Sequence, residues 1–511
     1  MAHLRSGRTR ALALPVGLAL TVSLGFLPTG SASASAVDGR TAAAVPADGP
    51  KLSYVVNTRG GPGTVKQVRK AVERAGGTVV IAYDRIGVLV VHSQNPDFAP
   101  SVRRVRGVDS VGATRTNPIV PTATKDIGVE QPLTAEQERT AAARATADQD
   151  PMEPLQWDLP AIKADKAHQK SLGSRKVTVA VIDTGVDDTH PDLAPNFDRS
   201  ASANCVTGAP DTTPGSWRPN AGESPHGTHV AGTIAAAKNG IGVTGVAPGV
   251  KVAGIKVANP DGYFYTESVV CGFMWAAEHG VDVTNNSYYT DPWMYNCKDD
   301  PDQGALVEAV ARATRYAESR GTVNVAASGN SAEDLAADTI EDSGSPNDGD
   351  TTTRTIDPKK CFDIPTMLPG VVTVSATGAK GLKASYSNYG NGVIDVAAPG
   401  GDSTAYQPPE PPATNGLILS TLPGGEYGYM AGTSMASPHV AGVVALIKSR
   451  HPYASAFAVK ALLTAEADAT ACGAPYDIDG DGTVDAVCEG GKNRNGFYGA
   501  GVVDALDAVR W

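Results

Sequence analysis

Val179-Ala180-Val181-Ile182-Asp183-Thr184-Gly185 is an apolar run that stops on a carboxylate and a glycine. Read from residue 176 to 182, it is a strand of the buried type, with no regular polar alternation. A carboxylate so near a core is costly unless something pairs with it. In open α/β sheets the C-terminal ends of strands are also where functional groups gather. Similar runs return at 251–257, 281–285, 322–326, 371–376 and 393–397, with long helical stretches at 266–279 and 305–319. Near-continuous apolar strands separated by helices predict an α/β domain with a mostly parallel sheet covered on both sides. Residues 333–360, rich in Asp, Ser and Thr, read as a solvated insertion.

Upstream the pattern changes. Residues 52–115 predict a small α+β unit, with strands at 53–57, 79–82, 87–92 and 108–111 and helices at 64–75 and 101–106. Residues 116–151 are polar and read as an exposed, protease-accessible linker, with processing expected between 120 and 152. At the start, Arg5, Arg8 and Arg10 precede an apolar run over 11–27, and Ala32, Ala34 and Ala36 follow. Pro15, Gly17 and the Ser-Ala tract favour a cleaved secretory signal over a membrane anchor. The expected division is therefore a signal peptide at 1–36, a small domain at 37–115, a linker at 116–151 and the main domain at 152–511. The product is expected to be extracellular, monomeric and without stable membrane association.

The formal net charge of −11 argues against a nucleic-acid partner, which needs a concentrated basic face. Six cysteines in an exported chain suggest disulfides. Cys472 with Cys488 would close a short polar loop, and Cys297 with Cys361 would tie two long ones. Cys271 lies in an apolar helical stretch and is either bonded or a buried free thiol.

Three segments carry groups suited to acyl transfer. Ser434 opens an apolar helix in Gly432-Thr433-Ser434-Met435-Ala436-Ser437-Pro438-His439. There it is either an N-cap or a nucleophile whose neighbouring backbone N–H groups face a developing oxyanion. Pro438 is expected in the first turn, where its missing donor costs little. Serine needs a base, and His226 in His226-Gly227-Thr228-His229-Val230-Ala231-Gly232 is the candidate. His229 is expected to be a buried, hydrogen-bonded partner, because zinc sites of the zincin type need a four-residue spacing. Asp183 would orient the imidazole.

The order Asp183, His226, Ser434, with the words Asp183-Thr184-Gly185-Val186-Asp187 and Gly432-Thr433-Ser434-Met435-Ala436-Ser437-Pro438, resembles the subtilisin-like serine protease family (subtilases) of the secreted bacterial type. The likeness runs from about Trp157 to Val509. It implies a three-layer α/β fold preceded by an inhibitor-like α+β propeptide, which would chaperone folding and then inhibit. It implies a serine endopeptidase acting on peptides or proteins, with Asn330 of Ser328-Gly329-Asn330 in the oxyanion hole. No cofactor would be needed for the chemical step.

The same resemblance places substrate along Ser287, Tyr288 and Tyr289, along Gly262 and Tyr263, and beside Gly329. Tyr288 and Tyr289 stand where the family usually has leucine and glycine. Tyr289 would either narrow the pocket or pack outward on Trp293. The alternatives to a general peptidase are an occluded binding protein of the same fold and a narrow maturation protease. Calcium is expected structurally. Asp477, Asp479, Asp481 and Asp485 offer oxygens at positions one, three, five and nine, with Gly482 at the turn, yet Cys488 stands where an EF-hand has glutamate. Asp192 and Asn239 match family ligands of a second site, which backbone oxygens of that loop would complete, with Glu153 as a further candidate; a plain hydrogen-bonded loop is the other reading.

Overall fold

Seven parallel strands build the central sheet, in the order Val396–Pro399, Val372–Thr377, Val323–Ala327, Val283–Asn286, Thr178–Asp183, Lys251–Lys256, Ala203–Asn204. These come from a computed structural model that describes residues 49–118, 130–402, 407–473, 476–478 and 482–510. The expected signal peptide, and Asp479 and Asp481, lie outside the described residues. Strand Thr178–Asp183 sits inside the sheet, so its side chains feed two cores. Val179 and Val181 pack with Val230, Ile234, Val440 and Val444 on one face. Ala180 and Ile182 pack with Val269, Phe273, Leu306 and Val310 on the other. Helices His226–Ala235 and Thr433–Arg450 supply the first layer; Thr266–Glu278 and Pro301–Ser319 supply the second. The result is the three-layer α/β arrangement.

From Thr178–Asp183 the chain adds its next sheet strands on one side, then crosses to Val283–Asn286 on the other. Such a reversal opens a crevice at the carboxyl ends of the strands, and Asp183 stands at its edge. Helix Pro301–Ser319 starts four residues earlier than its apolar pattern suggests. Asp300 caps it, accepting from the N–H groups of Asp302 and Gln303 at 2.9 Å each, and Pro301 needs no acceptor there.

The small N-terminal unit is an antiparallel sheet in the order Gly77–Tyr83, Val88–Ser93, Leu52–Thr58, Val108–Ala113. Helices Pro62–Arg74 and Phe98–Arg103 cover it, and Val56, Val68, Leu89, Val91 and Phe98 form its own core. The second helix begins three residues before the expected start because Phe98 is drawn fully into that core. The sheet lies on helix Pro301–Ser319. Asn57 Nδ2 donates to the Ala305 carbonyl at 2.9 Å. Arg312 Nη1 donates to the carbonyls of Thr58 at 2.7 Å and Ile86 at 3.3 Å, while its Nη2 pairs with Asp109 at 2.9 Å. Beyond the last strand, Ala113 N–H donates to Asp302 at 2.9 Å, Arg115 pairs with buried Glu267 over the Tyr265 ring, and Thr116 N–H donates to Asp348 at 2.9 Å.

Two loop segments hold more regular structure than their composition suggests. Of the stretch 116–151, residues 119–129 lie outside the described residues, and those that follow are mostly exposed but regularly folded. Gln131–Pro132 extends the hairpin Ile418–Leu422/Glu426–Met430, and Ala135–Ala142 is a helix with a Thr134/Gln137 capping box that buries Ala141. Likewise the 333–360 insertion holds a hairpin, Ile340–Ser345/Thr352–Ile356, whose Ile340 and Ile356 share a cluster with Tyr295 and Leu335. The cysteines pair as 472–488, 297–361 and 205–271, so Cys271 is bonded.

Candidate active site

Asp183, the last residue of its strand, is fully buried. Its Oδ1 accepts from the Thr184 N–H at 2.7 Å and from His226 Nδ1 at 2.8 Å. His226 is the first residue of its helix, and the close approach of helix to strand depends on Gly227. A Cβ there would come within 2.4 Å of the Gly185 carbonyl oxygen. With Nδ1 donating to Asp183, the other ring nitrogen is left as an acceptor. Among the described residues His226 Nε2 has no hydrogen-bond partner, although the ring is only 2% exposed.

His229, three residues on, is fully buried, with Nε2 within 3.0 Å of the Ile418 carbonyl and 3.1 Å of the Gly428 carbonyl. Burial, then the nearby His226, pushes its pKa down to about 3. It is a neutral tie to the neighbouring hairpin and does not share the base's task.

Ser434 lies in the first turn of helix Thr433–Arg450, partly exposed. Its Oγ points to the Ser287 carbonyl at 3.3 Å, and Ser287 Oγ donates back to the Ser434 carbonyl at 3.1 Å. The second bond has a cause in the sequence. The helix begins at Thr433, so Pro438 falls in its second turn and not in the first as expected. Having no N–H, Pro438 leaves the Ser434 carbonyl without its helical donor, and Ser287 fills the gap. The Ser434 and His226 helices pack face to face in the same core layer.

Asn330 follows the strand Val323–Ala327. Its Oδ1 accepts from both the N–H and the hydroxyl of Thr433, at 2.9 and 2.8 Å. That fixes the amide's orientation and leaves Nδ2 as its donor group, on a residue that lines the cavity. Gly329 stands at φ +100°, where a Cβ would meet Asn388 at 2.5 Å, so glycine is required there.

Ser434 and Asn330 open onto a cavity of about 420 Å³. Ser287, Tyr288, Tyr289, Gly262, Tyr263 and Gly329 all line it, which brings together every residue proposed from sequence to meet substrate. The two tyrosines do different things. Tyr288 is buried, its ring stacked on Phe264 at 4.5 Å and its hydroxyl bonded to Asn286 at 2.9 Å. Tyr289 accepts from Asn347 Nδ2 at 2.8 Å, so the hairpin insertion holds its ring in the cavity wall; Trp293 instead lies under Arg354. Sequence reading missed two lining carboxylates, Asp291 and Asp363; a third, Asp261, directly precedes Gly262 of the expected substrate edge. A lone aspartate before proline, as at 291, looks like a turn residue, and Asp363, between Phe362 and Ile364, carries no local signal.

The residues suggested for calcium are less uniform. Asp477 accepts from Gly482 N–H at 3.0 Å and Asp485 from Ile478 N–H at 2.7 Å, closing the loop on itself. Asp192 is fully buried; its Oδ2 takes Val243 N–H at 3.0 Å and the Tyr427 hydroxyl at 2.9 Å, while Oδ1 has no partner. Burial raises its pKa to about 6. Asn239 Oδ1 accepts from Ile241 N–H at 3.1 Å in the facing loop. Glu153 does not join them: Lys238 holds it at 2.6 Å. Among the described residues no group of three or more His, Cys, Asp or Glu is arranged to hold a metal.

Comparison with known proteins gives a consistent picture. The profile of the subtilase family matches residues 174–501. Subtilisin BL from Lederbergia lenta is 34% identical over 296 residues, covering 58% of this chain and 85% of that one. Subtilisin E from Bacillus subtilis is 34% identical over 291 residues, covering 57% of this chain and 60% of its own. Among solved structures, an epidermin leader peptide processing serine protease from Staphylococcus aureus aligns with a TM-score of 0.64 at 23% identity, over 90% of this chain and 98% of that one. That last likeness speaks for the fold alone.

Proposed function

The chain belongs to the subtilase family of serine endopeptidases, and from that premise we propose a secreted enzyme, made as a precursor, that cuts peptide bonds through an acyl-enzyme on Ser434. The observation that carries this reading is the buried Asp183–His226 bond at 2.8 Å with Nε2 left open. Rotation about the Ser434 Cα–Cβ bond takes Oγ from the Ser287 carbonyl toward that nitrogen. His226 Nε2 accepts the hydroxyl proton as Oγ bonds to the scissile carbonyl carbon. The carbonyl electron pair moves onto oxygen, where Asn330 Nδ2 and the first-turn N–H of Ser434 can donate to it. Collapse expels the amine, which takes the proton from His226. Water then repeats the sequence and frees the acid. Asp183 keeps Nδ1 protonated and the ring aligned throughout.

The unit at 52–113 would act as propeptide, assisting a fold rich in distant contacts and then blocking the groove. Its support is the tail through Arg115 and Thr116, which runs past Tyr265 and Asp348 beside the cavity. Calcium would be structural. Asp192, with its unpartnered buried oxygen, and Asn239 suit a hard cation together with loop carbonyls. It would supply positive charge against a desolvated carboxylate and take no part in the chemistry. No helix among the described residues is long and apolar enough to cross a membrane.

The test is Ser434→Ala in the full-length chain. Peptide cleavage, processing of the precursor and labelling by a fluorophosphonate should all disappear, and undiminished cleavage would overturn the mechanism.

A further inference from the structure

The cavity beside Ser434 is lined by three aspartates and by no lysine, arginine or histidine. Asp291 and Asp363 are each 4% exposed. Asp291 is internally satisfied, with Oδ1 accepting from Asn347 Nδ2 at 2.6 Å and Oδ2 from the Phe264 N–H. Asp363 is not: among the described residues its Oδ1 has no hydrogen-bond partner. The nearest arginine on the insertion, Arg354, is spent on Asp342 at 2.7 Å and stacked over Trp293. Thus, among the described residues, a buried carboxyl that lines a cavity opening at the nucleophile has the Thr366 hydroxyl for company but one oxygen without a donor, and no cationic side chain lines that cavity.

A buried carboxylate without a partner is expensive. Consistent with that, burial pushes the Asp363 carboxyl well above its ordinary range, nearby Glu333 adding to the effect, and lifts Asp291 to about 7. An aliphatic or aromatic side chain filling the cavity would seal Asp363 Oδ1 away from any donor. A long side chain ending in an ammonium or guanidinium would supply what is missing. Discrimination of this kind is stronger than that from apolar fit, because the wrong occupant leaves a polar group unpaired.

Resting on the peptidase reading above, we propose that Asp363, backed by Asp291, makes this enzyme select lysine or arginine as the residue preceding the cut bond. Tyr289 and Asn347 form the side wall that holds the carboxylates apart from solvent. Ala327 and Gly329 line the same cavity and add little bulk to its wall.

The test uses processed enzyme purified from expression of the full-length chain. Matched peptides differ only in the residue before the scissile bond: Arg, Lys, Gln, Leu or Phe. The basic peptides should exceed Leu and Phe by at least about tenfold in kcat/KM. Asp363→Asn, which keeps the shape, should remove most of that preference, while an unchanged circular dichroism spectrum and thermal unfolding midpoint report that the variant is folded. On the unmodified enzyme, a peptide aldehyde ending in arginine should inhibit more strongly than one ending in phenylalanine. Apolar peptides cut as well as basic ones, or a preference that survives Asp363→Asn, would overturn the inference. If Ser434 still takes a fluorophosphonate and casein is still cut, only the specificity fails; if neither occurs, the peptidase reading falls as well.

Discussion

Among the described residues are two buried histidine–aspartate pairs, and they do different things. His226 bonds Asp183 at 2.8 Å, and His439 bonds Asp158 at 2.9 Å; all four side chains are 2% exposed or less. The difference is in the remaining ring nitrogen. His439 Nδ1 lies 2.7 Å from the Met435 carbonyl, one turn back on its own helix, so both its nitrogens are engaged. His226 keeps Nε2 open. One pair fastens the Asp158 segment to the helix of the nucleophile, while the other leaves a base available. A hydrogen-bonded imidazole becomes reactive only where the fold withholds its second partner.

That contrast can be broken from either side. His226→Ala should lower kcat by about 10⁶, the scale seen in subtilisin itself, with little change in the unfolding midpoint. Asp183→Asn should cost about 10⁴ in kcat, because the amide favours the wrong tautomer. In both cases steady-state cleavage of a chromogenic peptide, with thermal unfolding alongside, gives the answer. His439→Ala should act the other way. Stranding Asp158 costs about 3–5 kcal/mol of stability in urea titrations, while activity per folded molecule is retained. If His439→Ala instead leaves a stable but inactive enzyme, the division of labour is wrong.

The smallest effect concerns His229. Its pKa is pushed to about 3 in the fold against 6.5 for a free ring, so the unfolded chain binds more protons between those values. Stability should therefore fall as pH drops below 6.5, by about 1.4 kcal/mol per pH unit from this residue. Urea titrations of an inactive Ser434→Ala background at several pH values should show a shallower slope once His229→Gln is added.

Much of this was legible before any coordinates, and unevenly so. Asp183, His226 and Ser434 each stand where an apolar run ends or begins, and such edges are visible in sequence. The order of the seven strands was not, since a strand that is apolar throughout says nothing about its neighbours. The hairpin in the insertion went unseen because two isoleucines among many polar residues carry its whole packing signal. The partner of Cys271 was hidden for another reason: Cys205 is 66 residues away in a loop without pattern. Asp363 was missed because its meaning comes from what it lacks, and absence of a partner is a property of the folded cavity.

Arg312 carries a consequence of its own. Its guanidinium reaches three backbone carbonyls, of Thr58, Ile86 and Gly87, and one carboxylate of the N-terminal unit, and it is only 16% exposed. Dissolved salt would screen the arm to Asp109, which stays 31% exposed, but has little purchase on the arms to Thr58 and Ile86. After the connecting chain is severed, the dissociation rate of that unit should thus rise only gently with ionic strength, and clearing it by digestion would free the enzyme sooner than rinsing it away.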